Sequence, residues 1–178
     1  MSDWERRFRG IEPWVGFTQV QKQLVAGGAF LVSVDRNGHP NAMTIGWALL
    51  GTAWYRPVLL VLVRPSRYTH DCLRHSRAFT VNVPLGKMKK ELEFCGEKSG
   101  RDVDKFAALH LRHEPGREVP IPVLTDCDLI YECQVIGEVA LEPASIISGE
   151  VQERFYPKGN LHTLFFGEVM AAWRARKG

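Results

Sequence analysis

Two arginines and two hydroxyl side chains crowd into one short turn. The apolar run VLLVLV (58–63) ends in Arg64, Pro65, Ser66, Arg67, Tyr68 and Thr69, where a strand hands over to a helix expected over 66–75. Ser66 is placed to cap that helix, with its hydroxyl on free backbone N–H groups. The helix dipole adds partial positive charge at the same point, and Arg67 and Thr69 add a cation and a further donor. Such a set can cradle a phosphate. An ordinary capped helix with exposed arginines has the same sequence, and the residues by themselves leave the two readings even.

Two more stretches carry groups that a ligand could use. In NAMTIGW (41–47), strand alternation would place Asn41 and Trp47 on one face and Thr44 on the other, along which a flat heterocycle could lie and stack. A core tryptophan and a β-forming threonine account for the same letters. In CGEKSGRDVDKF (95–106), Ser99 and Asp102 can each cap the next helix, and Lys98, Arg101 and Lys105 could reach an anion. Glu97, Asp102 and Asp104 also balance those cations, as in a solvated charge cluster. His162, just before TLFFGEV, is a lone histidine at the start of a strand. No G-x-S-x-G elbow, Walker A loop or G-x-G-x-x-G fingerprint is present, and Cys72, Cys95, Cys127 and Cys133 form neither a C-x-x-C pair nor a zinc spacing. Catalytic nucleophiles and metal ligands are therefore not expected.

These groups need elements to hold them. FTQVQKQLVA (17–26) reads as a helix stopped by Gly27 and Gly28, and AFLVSVD (29–35) as a strand. Asn37-Gly38 marks a hairpin, returning along 41–51. VLLVLV is apolar on both faces and reads as a central strand. A helix (66–75), a strand (78–83) and a helix (86–95) follow, then a loop that becomes helical near Asp102 and a proline-bearing connector over 116–124. Long strands are expected over 129–141 and 163–173, with a loop at 154–160 between them and Gly167 as a bulge or close approach. Many strands with short helices between them predict a mainly β, α+β barrel, antiparallel in its pairing.

With 178 residues, 45% apolar and 24% charged, the chain suits one domain, taken as 1–178. A net charge of +3 and lysines that alternate with Glu91 and Glu93 argue against a nucleic-acid partner. The N-terminus lacks the apolar stretch of a signal peptide and no run approaches a membrane span, so the cytoplasm is the expected location, with reduced and mostly buried thiols.

Taken in order, NAMTIGW, VRPSRYT, FTVNVP, CGEKSGRDVDKF and HTLFFGEV resemble the flavin reductase-like, FMN-binding split-barrel family, with the flavoredoxin-like proteins as the nearest branch. The resemblance spans about residues 28–170. It implies a six-stranded antiparallel split barrel with flanking short helices, and a homodimer with FMN near the interface. By motif, Asn41 and Trp47 would contact the flavin, with Met43, Thr44 and Ile45 offering backbone to the ring. Ser66, Arg67 and Thr69 would hold the phosphate, Lys105 would stand by the N1 edge of the ring, and Asn82 would be a further contact. His162 and Phe166 would line the ring, from this subunit or the other. The implied activity is hydride transfer from NAD(P)H to FMN, with no side chain acting as acid or base. The acceptor would be free flavin or a redox partner protein. An FMN electron carrier reduced by a protein partner is the alternative, and a barrel that stores flavin without turnover a third reading. Residues 107–130 match no motif of the family.

Overall fold

The computed structural model describes residues 2–176. The N-terminal segment forms α1 (Asp3–Arg7), capped by Ser2 and Glu5, and the short strand β1 (Phe8–Gly10). Then come α2 (Phe17–Ala26), β2 (Ala29–Val34), β3 (Pro40–Ile45), β4 (Ala48–Ala53), β5 (Arg56–Val63), α3 (Tyr68–Ser76) and β6 (Ala78–Val83). After these follow α4 (Lys89–Glu97), α5 (Lys105–Leu109), β7 (His113–Glu114), β8 (Val123–Leu124), β9 (Leu129–Ala140), α6 (Gly149–Phe155) and β10 (Thr163–Ala175). No described helix is long and apolar enough to cross a membrane.

The main sheet runs β3-β2-β6-β9-β10-β5-β4, antiparallel throughout, with β1 added on β10. Its two end strands, β3 and β4, are consecutive in sequence and separated only by Gly46 and Trp47. The sheet therefore curls until its ends approach, and a two-residue link crosses a seam that hydrogen bonds do not close. This corrects the single return strand expected over 41–51. The chain breaks out of the strand at Gly46, so the alternation that put Asn41 and Trp47 on one face does not carry across it.

Period-2 alternation sorts the strands into two apolar layers. Ala29, Leu31, Met43, Ile45, Val81, Tyr131 and Phe165 fill the inside of the curl. Phe30, Val32, Ala42 and Ile130 point outward, under a cover that includes Leu92, Phe106, Ile121 and Leu124. Gly167 sits at a register shift between β9 and β10, where a Cβ would lie 2.4 Å from Phe79 Cζ, so it is both a bulge and a close approach. The β2–β3 hairpin turns at Gly38, which alone of the Asn37-Gly38 pair takes a positive φ, +82°. All four cysteines are free and buried.

The unmatched segment 107–130 covers the outer layer. Its loop is wrapped on Glu132, whose Oε2 accepts the backbone N–H groups of Arg117, Glu118 and Val119 at 2.9, 2.7 and 3.1 Å. The helix α6 lies partly where only a loop was expected. None of its residues is buried, so its pattern carries no apolar face to read.

Candidate functional site

The seam opens into a cleft. One half is a cavity of about 290 Å³ lined by Met43, Thr44, Ile45, Gly46, Trp47, Leu62, Arg64, Arg67 and His162. The curl supplies each wall: β3 and the link give residues 43–47, the end of β5 gives Leu62, Arg64 follows just after that strand, and the start of β10 is preceded by His162. Trp47 stands with its ring centroid 5.1 Å from those of both His162 and Phe155. Burial, and then the nearby Arg64 charge, push the His162 imidazole down to about 4.

A second, smaller cavity of about 70 Å³ adjoins the first and shares Met43 and Arg67 with it. Asn41, Ser66, Tyr68, Thr69, Glu97, Lys98, Ser99, Gly100 and Lys105 also line it, so one carboxylate stands among its three cations. The cleft thus runs from an end with aromatic walls, where Arg64 also stands, to a polar end with a net excess of cations, and Arg67 lies between them.

At the polar end α3 begins two residues after Ser66. Arg67 occupies the N-cap position and no side chain caps the helix. The Ser66 hydroxyl instead accepts from Asn160 Nδ2 at 2.8 Å. The expected Ser66 cap is therefore replaced by a bare helix N-terminus, whose first N–H groups remain open to a ligand. Arg67 donates through Nε to Met43 Sδ at 3.3 Å and through one terminal nitrogen to the Gly96 carbonyl. Of its five N–H bonds, most stay available, and the fork is held in place by those contacts.

Asn41 is buried and donates to Thr69 Oγ1 at 2.8 Å, while its Oδ1 is buried with no partner among the described residues. Gly100 makes room there, since a Cβ would fall 2.1 Å from that oxygen. Lys105 is buried, and its ammonium donates to the carbonyls of Ala42 and Cys95 at 2.7 and 3.1 Å. Desolvation holds it below the ordinary lysine range. It lines the polar cavity rather than the aromatic one. Asp104, not Ser99 or Asp102, caps α5 by accepting from Ala107 N at 3.0 Å. Arg101 is engaged with Asp71, the Ser66 carbonyl and the face of Tyr68.

The remaining expected contacts divide. Met43, Thr44, Ile45, Trp47 and His162 gather at the aromatic end, and Asn41, Ser66, Arg67, Thr69 and Lys105 at the polar end. The Thr44 hydroxyl is spent on the Leu92 carbonyl at 2.6 Å. Asn82 lies outside both cavities: it accepts from Leu124 N and donates to Thr80 Oγ1, which ties β8 to β6. Phe166 also lies outside them, against Trp54 on the outer face of the sheet. Sequence reasoning named Arg64 in the turn without giving it a role, and did not single out Tyr156. Arg64 is the first letter of the motif turn, and only the fold reveals that it turns toward the aromatic half.

The family model described as "Flavin reductase like domain" matches residues 23–178. The chain belongs to that family. Among solved structures, flavoredoxin of Desulfovibrio vulgaris (Miyazaki F) is similar at 25% identity and a TM-score of 0.67, over 85% of this chain and 70% of that one. An FMN-binding protein from Thermus thermophilus with bound 1-cyclohex-2-enone is similar at 26% identity and a TM-score of 0.63, over 83% and 70%. An uncharacterized protein of Archaeoglobus fulgidus is 31% identical over 113 residues, 63% of each chain. The antiparallel sheet with short helices is the split-barrel architecture of these flavin reductase-like neighbours, open at the β3–β4 seam.

Proposed function

We propose that this chain binds FMN along the cleft and works as an NAD(P)H-dependent flavin reductase-like oxidoreductase. The observation that carries the reading is the adjoining of an aromatic-walled cavity and a polar one whose cations outnumber its single carboxylate, Glu97, joined at Met43 and Arg67. FMN has the matching sequence of parts: a flat ring, a hydroxylated chain and a dianionic phosphate.

The residues fit that group one by one. The bare N-terminus of α3 and the free N–H groups of Arg67 would take the phosphate. The orphaned Asn41 Oδ1 needs a donor, which a ribityl hydroxyl would provide; a bare anion would not. Met43, Ile45 and Trp47 would pack the ring, with strand β3 offering backbone beside it. Bound FMN would supply the hydride-accepting chemistry, while the protein binds, orients and excludes water.

A second copy of the chain would complete the assembly. Leu49, Trp54, Tyr55 and Val139 are exposed large apolar residues, and Phe166 touches Trp54. A homodimer burying this face would bring Phe166 near an interface, as the family resemblance implies. The four buried thiols suit a reducing, cytoplasmic setting.

An electron carrier reduced by a protein partner is the second reading, favoured by the 25% identity to a flavoredoxin. Anaerobic addition of NADH and then NADPH to the FMN-loaded protein separates the two. Bleaching of the flavin absorption within seconds supports the reductase. A yellow protein that ignores both nucleotides supports the carrier, and failure to bind FMN overturns both.

A further inference from the structure

The aromatic half of the cleft holds a hydrogen-bonded array that FMN binding does not by itself require. Tyr156 follows α6 and is buried, with its hydroxyl 2.8 Å from Nδ1 of His162. Arg64 donates to the carbonyls of Asn160 and Phe155 at 3.0 and 2.7 Å. Those bonds hold its guanidinium carbon 5.1 Å from the centroid of the Tyr156 ring. Trp47 stands on the imidazole from the link, and Arg67 shares the cavity wall. No acidic residue lines this cavity among the described residues.

We propose that Arg64 and Tyr156 lock His162 into one neutral tautomer, with Nδ1 accepting from Tyr156 and Nε2–H presented to a hydrogen-bond acceptor of the ligand, a carbonyl oxygen or ring nitrogen. The proton count decides the direction. The Tyr156 hydroxyl has no other partner among the described residues. If Nδ1 were the donor, the buried O–H would be left without an acceptor, a cost of about 1–3 kcal/mol. With the hydroxyl donating, both groups are satisfied and the ring proton must sit on Nε2. Arg64 acts twice. Its charge over the ring favours polarisation of the O–H, and it opposes a second proton on His162, in line with the lowered imidazole. Tyr156 is thus a positioning residue that acts through His162. The arrangement offers the cleft a donor whose state does not change between about pH 5 and 8, where an ordinary histidine would switch.

The proposal rests on the flavin reading only for the identity of the acceptor. The tautomer belongs to the chain itself, so the test separates the two. Nitrogen-15 NMR of histidine-labelled full-length protein, with the His162 signals assigned by their absence in His162→Gln, reports the proton on each ring nitrogen. The expected wild-type result at pH 7 is a protonated Nε2 and an unprotonated Nδ1, with the Nε2 signal moving when FMN is added. In Tyr156→Phe, which keeps the ring and the Arg64 contact, a mixture of both tautomers is expected. A proton on Nδ1, a doubly protonated ring at pH 7, or an unchanged single tautomer in Tyr156→Phe would overturn the proposal. If the tautomer is as stated but FMN neither binds nor moves the signal, the flavin reading fails and the lock stands.

Discussion

The ammonium of Lys105 lies 2.7 Å from the carbonyl oxygen of Ala42, and this bond fixes a buried cation beneath β3. With the Cys95 carbonyl at 3.1 Å, it leaves one N–H free at the polar end of the cleft. On the proposed placement of FMN, Lys105 would serve the tail of the ligand rather than the ring. Lys105→Met is expected to weaken FMN binding and to cost about 1–3 kcal/mol of stability, since both carbonyls lose their donor. Fluorescence titration, urea unfolding and spectroelectrochemistry check this together. An affinity loss with an unmoved midpoint potential is the expected pattern, and a shifted potential would return Lys105 to the ring.

Arg67 is the test of the phosphate assignment. Its fork is steadied by Met43 and Gly96 and still has donors to spare. Charge-assisted hydrogen bonds are worth about 1.5–3 kcal/mol, so Arg67→Met should weaken FMN binding by roughly 10–100-fold. Riboflavin, which lacks the phosphate, should lose little. Paired titrations with the two flavins read the difference, and equal losses would place Arg67 on another part of the ligand.

Gly100 tests the room around Asn41. Its Cβ would lie 2.1 Å from Asn41 Oδ1 and 2.9 Å from Tyr68 Cδ1. Gly100→Ala must displace the Asn41 amide or the loop that faces it. The expected outcome is a folded protein with a far-UV spectrum like the wild type and FMN affinity reduced at least about tenfold, a loss of about 1.4 kcal/mol. An unaltered affinity would remove Asn41 from the ligand contacts.

His162 sets a pH dependence whose sign can be worked out. Its imidazole is lowered to about 4 by burial and Arg64, against an ordinary value near 6.5. Between those values the unfolded chain binds more protons, so stability rises with pH across the window and is lost as pH falls through it. The full span is worth up to about 3 kcal/mol. In His162→Gln the slope of unfolding free energy against pH between 4 and 6.5 should be shallower. Equal slopes in the two proteins would show that the imidazole titrates alike in both states. His70, also lowered by burial, contributes in the same direction in both and cancels.

Most of this architecture was legible where local chemistry and pattern agree. Gly27 and Gly28 end α2, the β5 and β6 runs stand as strands, and Gly167 marks the bulge, because each depends on near neighbours or on period 2. The misreadings share a cause in long-range geometry. Nothing near Gly46 tells a strand to stop, because the break exists to cross from one end of a curled sheet to the other. Ser66 has the chemistry of a cap, yet Asn160, distant in sequence, claims its hydroxyl. The family pattern named most of the residues that line the cleft, Arg64 among the motif letters but without a role, whereas its contacts with Phe155 and Tyr156 became visible only once α6 was folded back over the seam.

Glu132 is the clearest case of a residue whose role only the fold discloses, and it yields the most direct stability test. It is completely buried on β9, accepts three successive backbone N–H groups through Oε2, and takes Trp173 Nε1 on Oε1 at 2.7 Å. Gly116 has to be small for the loop to close, since a Cβ would sit 2.8 Å from Oε2 and closer still to the Val119 and Ile121 carbonyls. A glutamine fits the volume but has one acceptor oxygen. With that oxygen in the loop, its amide N–H₂ would face the indole N–H, donor against donor. Glu132→Gln is therefore expected to destabilise the protein by about 3 kcal/mol, while Trp173→Phe, which removes one bond and keeps the aromatic packing, should cost about 1 kcal/mol. Urea unfolding measures both. Protease cleavage within 115–122 should accelerate in Glu132→Gln more than in Trp173→Phe, because only the former frees the loop. Equal stability losses and equal cleavage rates would mean that the carboxylate does not organise this segment.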